Sequence, residues 1–278
     1  MEQTAAQSKI RKASRWFIPI AALFAFFAWF YISPPGLLGK ADAIGYAVCH
    51  RISERSLHIG DRQLPLCVRC TGEFNAAAIS LIFFAFASGK KSGFPNWKLG
   101  TPLILFFLAF GFDGVNSYIY LLKQTSSAAF KDIPTLYTPN ATLRLLTGSG
   151  MGITLASILF PAFNQTAWKI VDLERALNWK KLVTLIAIIA LVDLLILTES
   201  PFILYPVAIL SVLGVLALLT TVFTMVWMMA MRQENTFQRL TEMKLPFLAG
   251  LTLALTMITA IDLLRFNLTG TWGGFPLN

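Results

Sequence analysis

The residues best equipped for chemistry are crowded into one stretch, Cys49 to Gly72, which reads CHRISERSLHIGDRQLPLCVRCTG. All three cysteines and both histidines of the chain fall inside it. Cys49-His50 comes first, and Cys67-Val68-Arg69-Cys70 follows. Thiolates are the form of cysteine that ligates metals and attacks disulfides, and a helix N-terminus with arginines nearby favours them. The position of Cys67 and Cys70, just after Pro65, suits the first turn of a helix, where i,i+3 spacing puts both sulfurs on one face. Cys49, His50, Cys67 and Cys70 together make a Cys3His set, an established tetrahedral zinc site. Because Cys49 and His50 are neighbours, a second arrangement is open: three thiolates hold the metal, one position stays free, and His50 stands beside it as a partner or base. A redox reading is also open, with Cys67 and Cys70 as a dithiol pair, Cys49 as a resolving thiol and a membrane quinone as electron acceptor, no metal being needed. A purely structural staple of the loop is the blandest alternative. His58 is a spare ligand or a plain loop residue.

A second set of polar residues lies in otherwise apolar surroundings. Asp113 sits in GFDGVNSY, flanked by glycines; Asn140 and Arg144 open the next apolar run. A carboxylate near the middle of a bilayer costs about 3 kcal/mol on insertion scales, so Asp113 must face protein, water or a partner. Arg144 can clamp a phosphate or carboxylate bidentately or pair with Asp113, and pairing is the expectation taken forward. Asp113, Asn140 and Arg144 are the candidate catalytic residues, lining a pocket next to the cysteines. Glu73, Asn75, Asp193, Glu199, Asp262 and Arg265 fall toward the same leaflet. Asp262 and Arg265, at i,i+3, are expected to pair as helix-end residues.

The elements that must position these residues are membrane helices. Of 278 residues 56% are hydrophobic and 13% charged, with mean hydropathy +0.64; a soluble domain carries roughly a quarter charged residues. A bilayer core of roughly 30 Å needs about 20 apolar residues per helix. Seven windows qualify, at about 16–32, 72–88, 101–122, 144–163, 182–197, 202–231 and 245–264. The first follows four basic residues and is expected to be a retained helix rather than a cleaved leader. Residues 164–181, with Trp168 and Trp179, are expected to form an interfacial amphipathic helix. In the fourth window Gly148 and Gly152 make a GxxxG pair suited to close helix packing.

With the N-terminus cytoplasmic, 14 of the 23 Lys and Arg residues fall on the cytoplasmic side, which puts the cysteine loop outside. The net charge of +9 is met by anionic lipid headgroups and calls for no nucleic acid. No phosphate-binding glycine loop, Ser/His/Asp arrangement or soluble domain is found.

The loop resembles a prokaryotic membrane-protein family known only as domain of unknown function 2085. The resemblance rests on Cys49, His50, Arg55, Ser56, Gln63, Leu64, Pro65, Cys67, Arg69, Cys70, Thr71 and Gly72, and continues through Asp113-Gly114, Asn140, Arg144 and Thr147-Gly148, covering about residues 45–155. It implies site candidates and no reaction.

The expectation is therefore a single membrane domain, residues 1–278, folded as an all-α polytopic bundle of about seven transmembrane helices. The leading function is a Cys/His zinc-like site at the membrane surface, serving metal-assisted chemistry on a lipid-like or small substrate. The alternatives are a quinone-coupled thiol-disulfide oxidoreductase and a transporter or binding protein using intramembrane acids.

Overall fold

The computed structural model describes residues 2–125 and 133–274. In chain order the elements are α1 (Glu2–Ile32), α2 (Leu37–Val48), β1 (Ser56–Ile59), β2 (Arg62–Cys67), α3 (Val68–Ser88), β3 (Lys91–Gly93), α4 (Trp97–Thr125), α5 (Ala141–Ala167), β4 (Asp172–Arg175), α6 (Trp179–Ile196), α7 (Pro201–Ala230) and α8 (Lys244–Thr269). Among the described residues six helices are long and apolar enough to cross a membrane: α1, α3, α4, α5, α7 and α8. The remaining expected span is α6, 18 residues long, whose Lys180, Lys181 and Asp193 keep it out of that set. The fold is the all-α polytopic bundle, and every apolar window lies on its own helix. Side chains such as Phe24, Phe86, Phe112 and Phe202 stand on the outside of the bundle, as a bilayer solvent permits.

The α3–α5 pair is the spine. A Cβ on Gly148 would meet the Arg69 carbonyl, one on Gly152 the Glu73 carbonyl, and one on Gly72 the backbone around Leu145 and Ser149. Contacts rise together along both helices, ending with Phe84 against Phe160 at 5.4 Å between centroids, so α3 and α5 run parallel. Small residues allow this approach because, in lipid, helices associate through backbone-close packing. On its other side α3 meets α7, where Gly214 lies against the Phe74 carbonyl. Since Arg69 sits level with Gly148, the start of α3 lies roughly 10 Å along α5 from its first residue at 1.5 Å per residue.

Two elements on the cysteine side fall outside the seven apolar windows. The helix α2 follows Gly36, whose φ of +80° turns the chain back after α1. The strands β1 and β2 form an antiparallel hairpin around the two-residue turn Gly60-Asp61, with Ser56 opposite Cys67 and Ile59 opposite Arg62. Along β2 the chain passes from exposed Arg62 to buried Leu64, Pro65, Leu66 and Cys67, so the hairpin is driven tip-out into the bundle. Pro65 thus belongs to the strand rather than to a helix's first turn, and its carbonyl abuts Gly45 of α2.

The expected amphipathic helix at 164–181 is not formed. Instead α5 runs on to Ala167, and β4 pairs in parallel with β3, with Ser92 Oγ donating to the Asp172 carbonyl at 3.0 Å. The reason is local: Trp168 closes α5 in an extended conformation, and Asn178 caps α6 by accepting from the Lys181 N–H at 3.0 Å, leaving too few residues between for another helix.

Candidate metal centre and the polar pocket beside it

Three elements deliver the cysteines. Cys49 terminates α2, Cys67 is both the last residue of β2 and the N-cap of α3, and Cys70 lies one turn into α3. Their sulfurs all lie within 4.8 Å of one another, and all three are free thiols. Three sulfurs at ~2.3 Å from a tetrahedral ion stand roughly 3.8 Å apart, so an ion needs only a small contraction of the group. Cys49 and Cys67 are buried, packed with Leu66, Val212 and Val215 of α7 and Ile258 of α8. Val212 is about three turns in from the start of α7 at Pro201. The three sulfurs are therefore packed into the bundle rather than lying on its outside.

The backbone prepares a negative charge on Cys49. Its sulfur accepts from the N–H groups of Arg51 at 3.4 Å and Cys67 at 3.3 Å. The first of these needs a tight turn, which Arg51 provides by taking φ of +53°, a left-handed conformation disfavoured for a non-glycine residue. The turn is held by the Arg51 guanidinium, which donates to Asp42 and to the Trp272 carbonyl, both at 2.9 Å. Gln63 of β2 adds a bond to the Arg51 carbonyl at 2.8 Å. Hydrogen bonds from the thiols of Cys67 and Cys70 set the Cys49 pKa well below the ordinary thiol range, against the effect of burial. The same sharing, with Cys49 as acceptor, pushes Cys67 up to about 12. A divalent cation held by these sulfurs would displace the remaining thiol protons.

His50 is not brought into the three-sulfur group. Its Nδ1 accepts from the Ile52 N–H at 3.2 Å, and burial pushes its pKa below the usual value, with the nearby charges of Arg55, Arg69 and Arg144 adding to this. Neutral imidazole with Nδ1 as acceptor carries its proton on Nε2, the tautomer assigned by that bond. His50 thus follows Cys49 in sequence and lies outside the three-sulfur group. His58, paired with Gln63 in the hairpin, exchanges a 3.1 Å hydrogen bond with Ser53.

A cluster of polar side chains adjoins the three sulfurs through Arg69, between Cys67 and Cys70. Arg69 donates to Asp113 through Nε at 3.0 Å and through Nη2, and to Ser117 Oγ at 3.1 Å. Asp113 is also held by the Tyr137 hydroxyl at 2.7 Å and by Thr147 at 3.3 Å. Burial and the hydrogen bond to Asp113 raise the Tyr137 pKa to about 12, so it remains a donor. The expected Arg144–Asp113 pair is therefore replaced by Arg69–Asp113. The lower position of Arg69, level with Gly148, brings it against Asp113, whose oxygens are then filled. Arg144 is buried, and its Nε has no hydrogen-bond partner among the described residues. Asn140 is exposed and caps α5, accepting from the Leu143 N–H at 2.8 Å. Asn116 ties the loop before α5 to α4 through Leu136 and Tyr137, at 2.8 and 2.9 Å.

The other intramembrane acids are separated. Asp193 accepts from Ser149 at 2.9 Å. Asp262 is buried with Oδ1 unpartnered and interacts electrostatically with Arg265, as expected, while Arg265 also donates to the carbonyls of Cys49 and His50, at 2.6 and 3.0 Å, and so braces the cysteine turn. Arg265 also covers the Tyr46 ring at 4.0 Å. Sequence reasoning missed Arg51, Asp42 and Arg265 as supports of the turn. The one local signal was their charge in a chain with few charges.

Residues 49–158 match a family model described as predicted membrane protein (DUF2085). The match runs from Cys49 through the hairpin, α3 and α4 into α5, the elements that carry the polar cluster and all three cysteines. No curated protein and no solved structure matches the chain.

Proposed function

We propose that this membrane protein holds one transition-metal ion, zinc in the simplest case, between the sulfurs of Cys49, Cys67 and Cys70, and uses it on a lipid-like or small substrate. The observation that supports this reading is the convergence of three sulfurs within 4.8 Å from three separate elements, two of them on buried residues. Soft thiolates suit zinc, and three of them leave one of four positions unfilled by cysteine, the distinction between a catalytic and a closed structural site. An ion held there supplies Lewis acidity. The chain's own residues orient and insulate it: Arg51 and Arg265 fix the turn, Val212, Val215 and Ile258 exclude water, and His50 offers a neutral imidazole next to the sulfurs. The bias of basic residues supports an extracytoplasmic cysteine side, with anionic headgroups as lipid partners on the other face.

The test is elemental mass spectrometry of protein purified anaerobically in mild detergent, with thiols counted by alkylation on the same sample. About one metal per chain, lost in Cys67→Ser/Cys70→Ser, with cysteines protected until chelation, is the expected result. No metal, with two cysteines oxidised and one free, would replace this reading by a thiol-disulfide oxidoreductase.

A further inference from the structure

Three arginines converge beside the cysteine centre, and the acidic groups near them leave Arg144 without a hydrogen bond among the described residues. Arg55, at the head of the hairpin, donates to the Ser117 carbonyl at 2.9 Å, and Arg69 donates to the hydroxyl of the same serine at 3.1 Å. Arg144, at the start of α5, interacts electrostatically with Arg69, Asp113, Cys67 and Tyr137, and Arg55 with both Arg144 and Arg69. The carboxylates in reach are Asp113, which is buried, Glu73, half-buried one turn along α3 from Arg69, and Glu54, which is exposed beside Arg55. Asp113 is already engaged by Arg69, Tyr137 and Thr147. Arg144 is only 8% exposed, yet its guanidinium makes no hydrogen bond among the described residues, and Nε is fully buried without a partner. A buried guanidinium carries five donors in a fixed fork, and leaving it unpaired is a cost that proteins retain at sites for oxyanions.

The geometry points to a phosphate-binding site formed by Arg55, Arg69 and Arg144 next to the cysteine centre. Phosphate is favoured over carboxylate because three guanidiniums need more acceptor oxygens than two, and a terminal phosphate offers three oxygens with a charge of about −1.5 to −2 at neutral pH. The bond from Tyr137 keeps Asp113 oriented on Arg69, which holds the floor of the site. That this phosphate group belongs to the substrate of the metal rests on the reading above; the binding itself does not. Its source is a phosphorylated lipid headgroup or a free phosphate compound, and both present the same oxyanion.

Native mass spectrometry of the full chain in mild detergent, titrated separately with inorganic phosphate, phosphatidic acid and phosphatidylcholine, tests this. Saturable binding of one phosphate-monoester group per chain is expected, weakened about tenfold or more in Arg144→Gln, as loss of a charge-assisted bond requires. Binding of inorganic phosphate identifies a soluble source; binding of phosphatidic acid alone identifies a lipid. Arg55→Gln, outside the spanning helices, is expected to weaken binding severalfold and serves if Arg144→Gln fails to fold. No saturable binding of either probe, or undiminished binding in the folded variants, overturns the proposal. The titration is repeated on Cys67→Ser/Cys70→Ser. Phosphate binding retained there while metal is lost supports both readings separately; metal without phosphate binding sinks this one alone.

Discussion

Removing the carboxylate of Asp113 should cost more than removing both partners of its ion pair. The side chain is 1% exposed, that of Arg69 15%, and the pair lies between α3 and α4 inside the bundle. Asp113→Ala strands the Arg69 guanidinium with only the Ser117 hydroxyl, and withdraws the acceptor for Tyr137 and Thr147. Breaking a buried pair from one side costs about 3–5 kcal/mol, and Arg69→Met, stranding Asp113, should cost a similar amount. If the two effects were independent the double variant Arg69→Met/Asp113→Ala would lose about 6–10 kcal/mol. Since apolar replacement of a whole buried pair is often near neutral, the double variant should lose only about 2–3 kcal/mol, chiefly the two hydroxyl bonds. Reversible unfolding in mixed detergent micelles, followed by tryptophan fluorescence, measures all three. Additivity to within about 0.5 kcal/mol would refute the reasoning, because groups in contact must couple by more than that.

Other outcomes follow from the packing and the caps. Gly152→Ala places a methyl against the Glu73 carbonyl and the Ala77 N–H, so α3 and α5 must part; a loss of about 1–3 kcal/mol is expected in the same unfolding assay, together with reduced metal content because α3 carries Cys70. Asn140→Ala removes the cap of α5 and should cost about 1 kcal/mol with metal content unchanged, as the residue lies on the outside; a loss of metal would contradict its placement as a cap.

The apolar windows were readable because a run of about 20 apolar residues is a property of one segment, and lipid leaves the backbone few alternatives to helix. The glycines of α5 were readable for a related reason: Gly148 and Gly152 fall one turn apart on one face. The hairpin was harder, since its strands have only four and six residues and its buried side is created by α2 and the bundle, although Gly60-Asp61 between two short runs is a recognised turn signal. In α2, Gly39 and Gly45 hide the helix in sequence while letting it press against Pro34 and Pro65 in space. Neighbouring chemistry was harder still. Which of several arginines meets Asp113 depends on the level at which α3 begins beside α5, a tertiary fact. That Cys49, Cys67 and Cys70 belong together was legible from their rarity alone. That His50 turns aside depends on the left-handed Arg51 after it, which nothing in the sequence announces.

The most direct test of the central claim is X-ray absorption at the metal edge, on wild-type protein loaded with about one equivalent of zinc in mild detergent. Three sulfur scatterers at ~2.3 Å and one lighter atom near 2.0 Å are the predicted shell, falling to one sulfur in Cys67→Ser/Cys70→Ser if any metal remains. A shell of nitrogen and oxygen only, or one that the double variant leaves intact, would place the metal elsewhere and contradict the account.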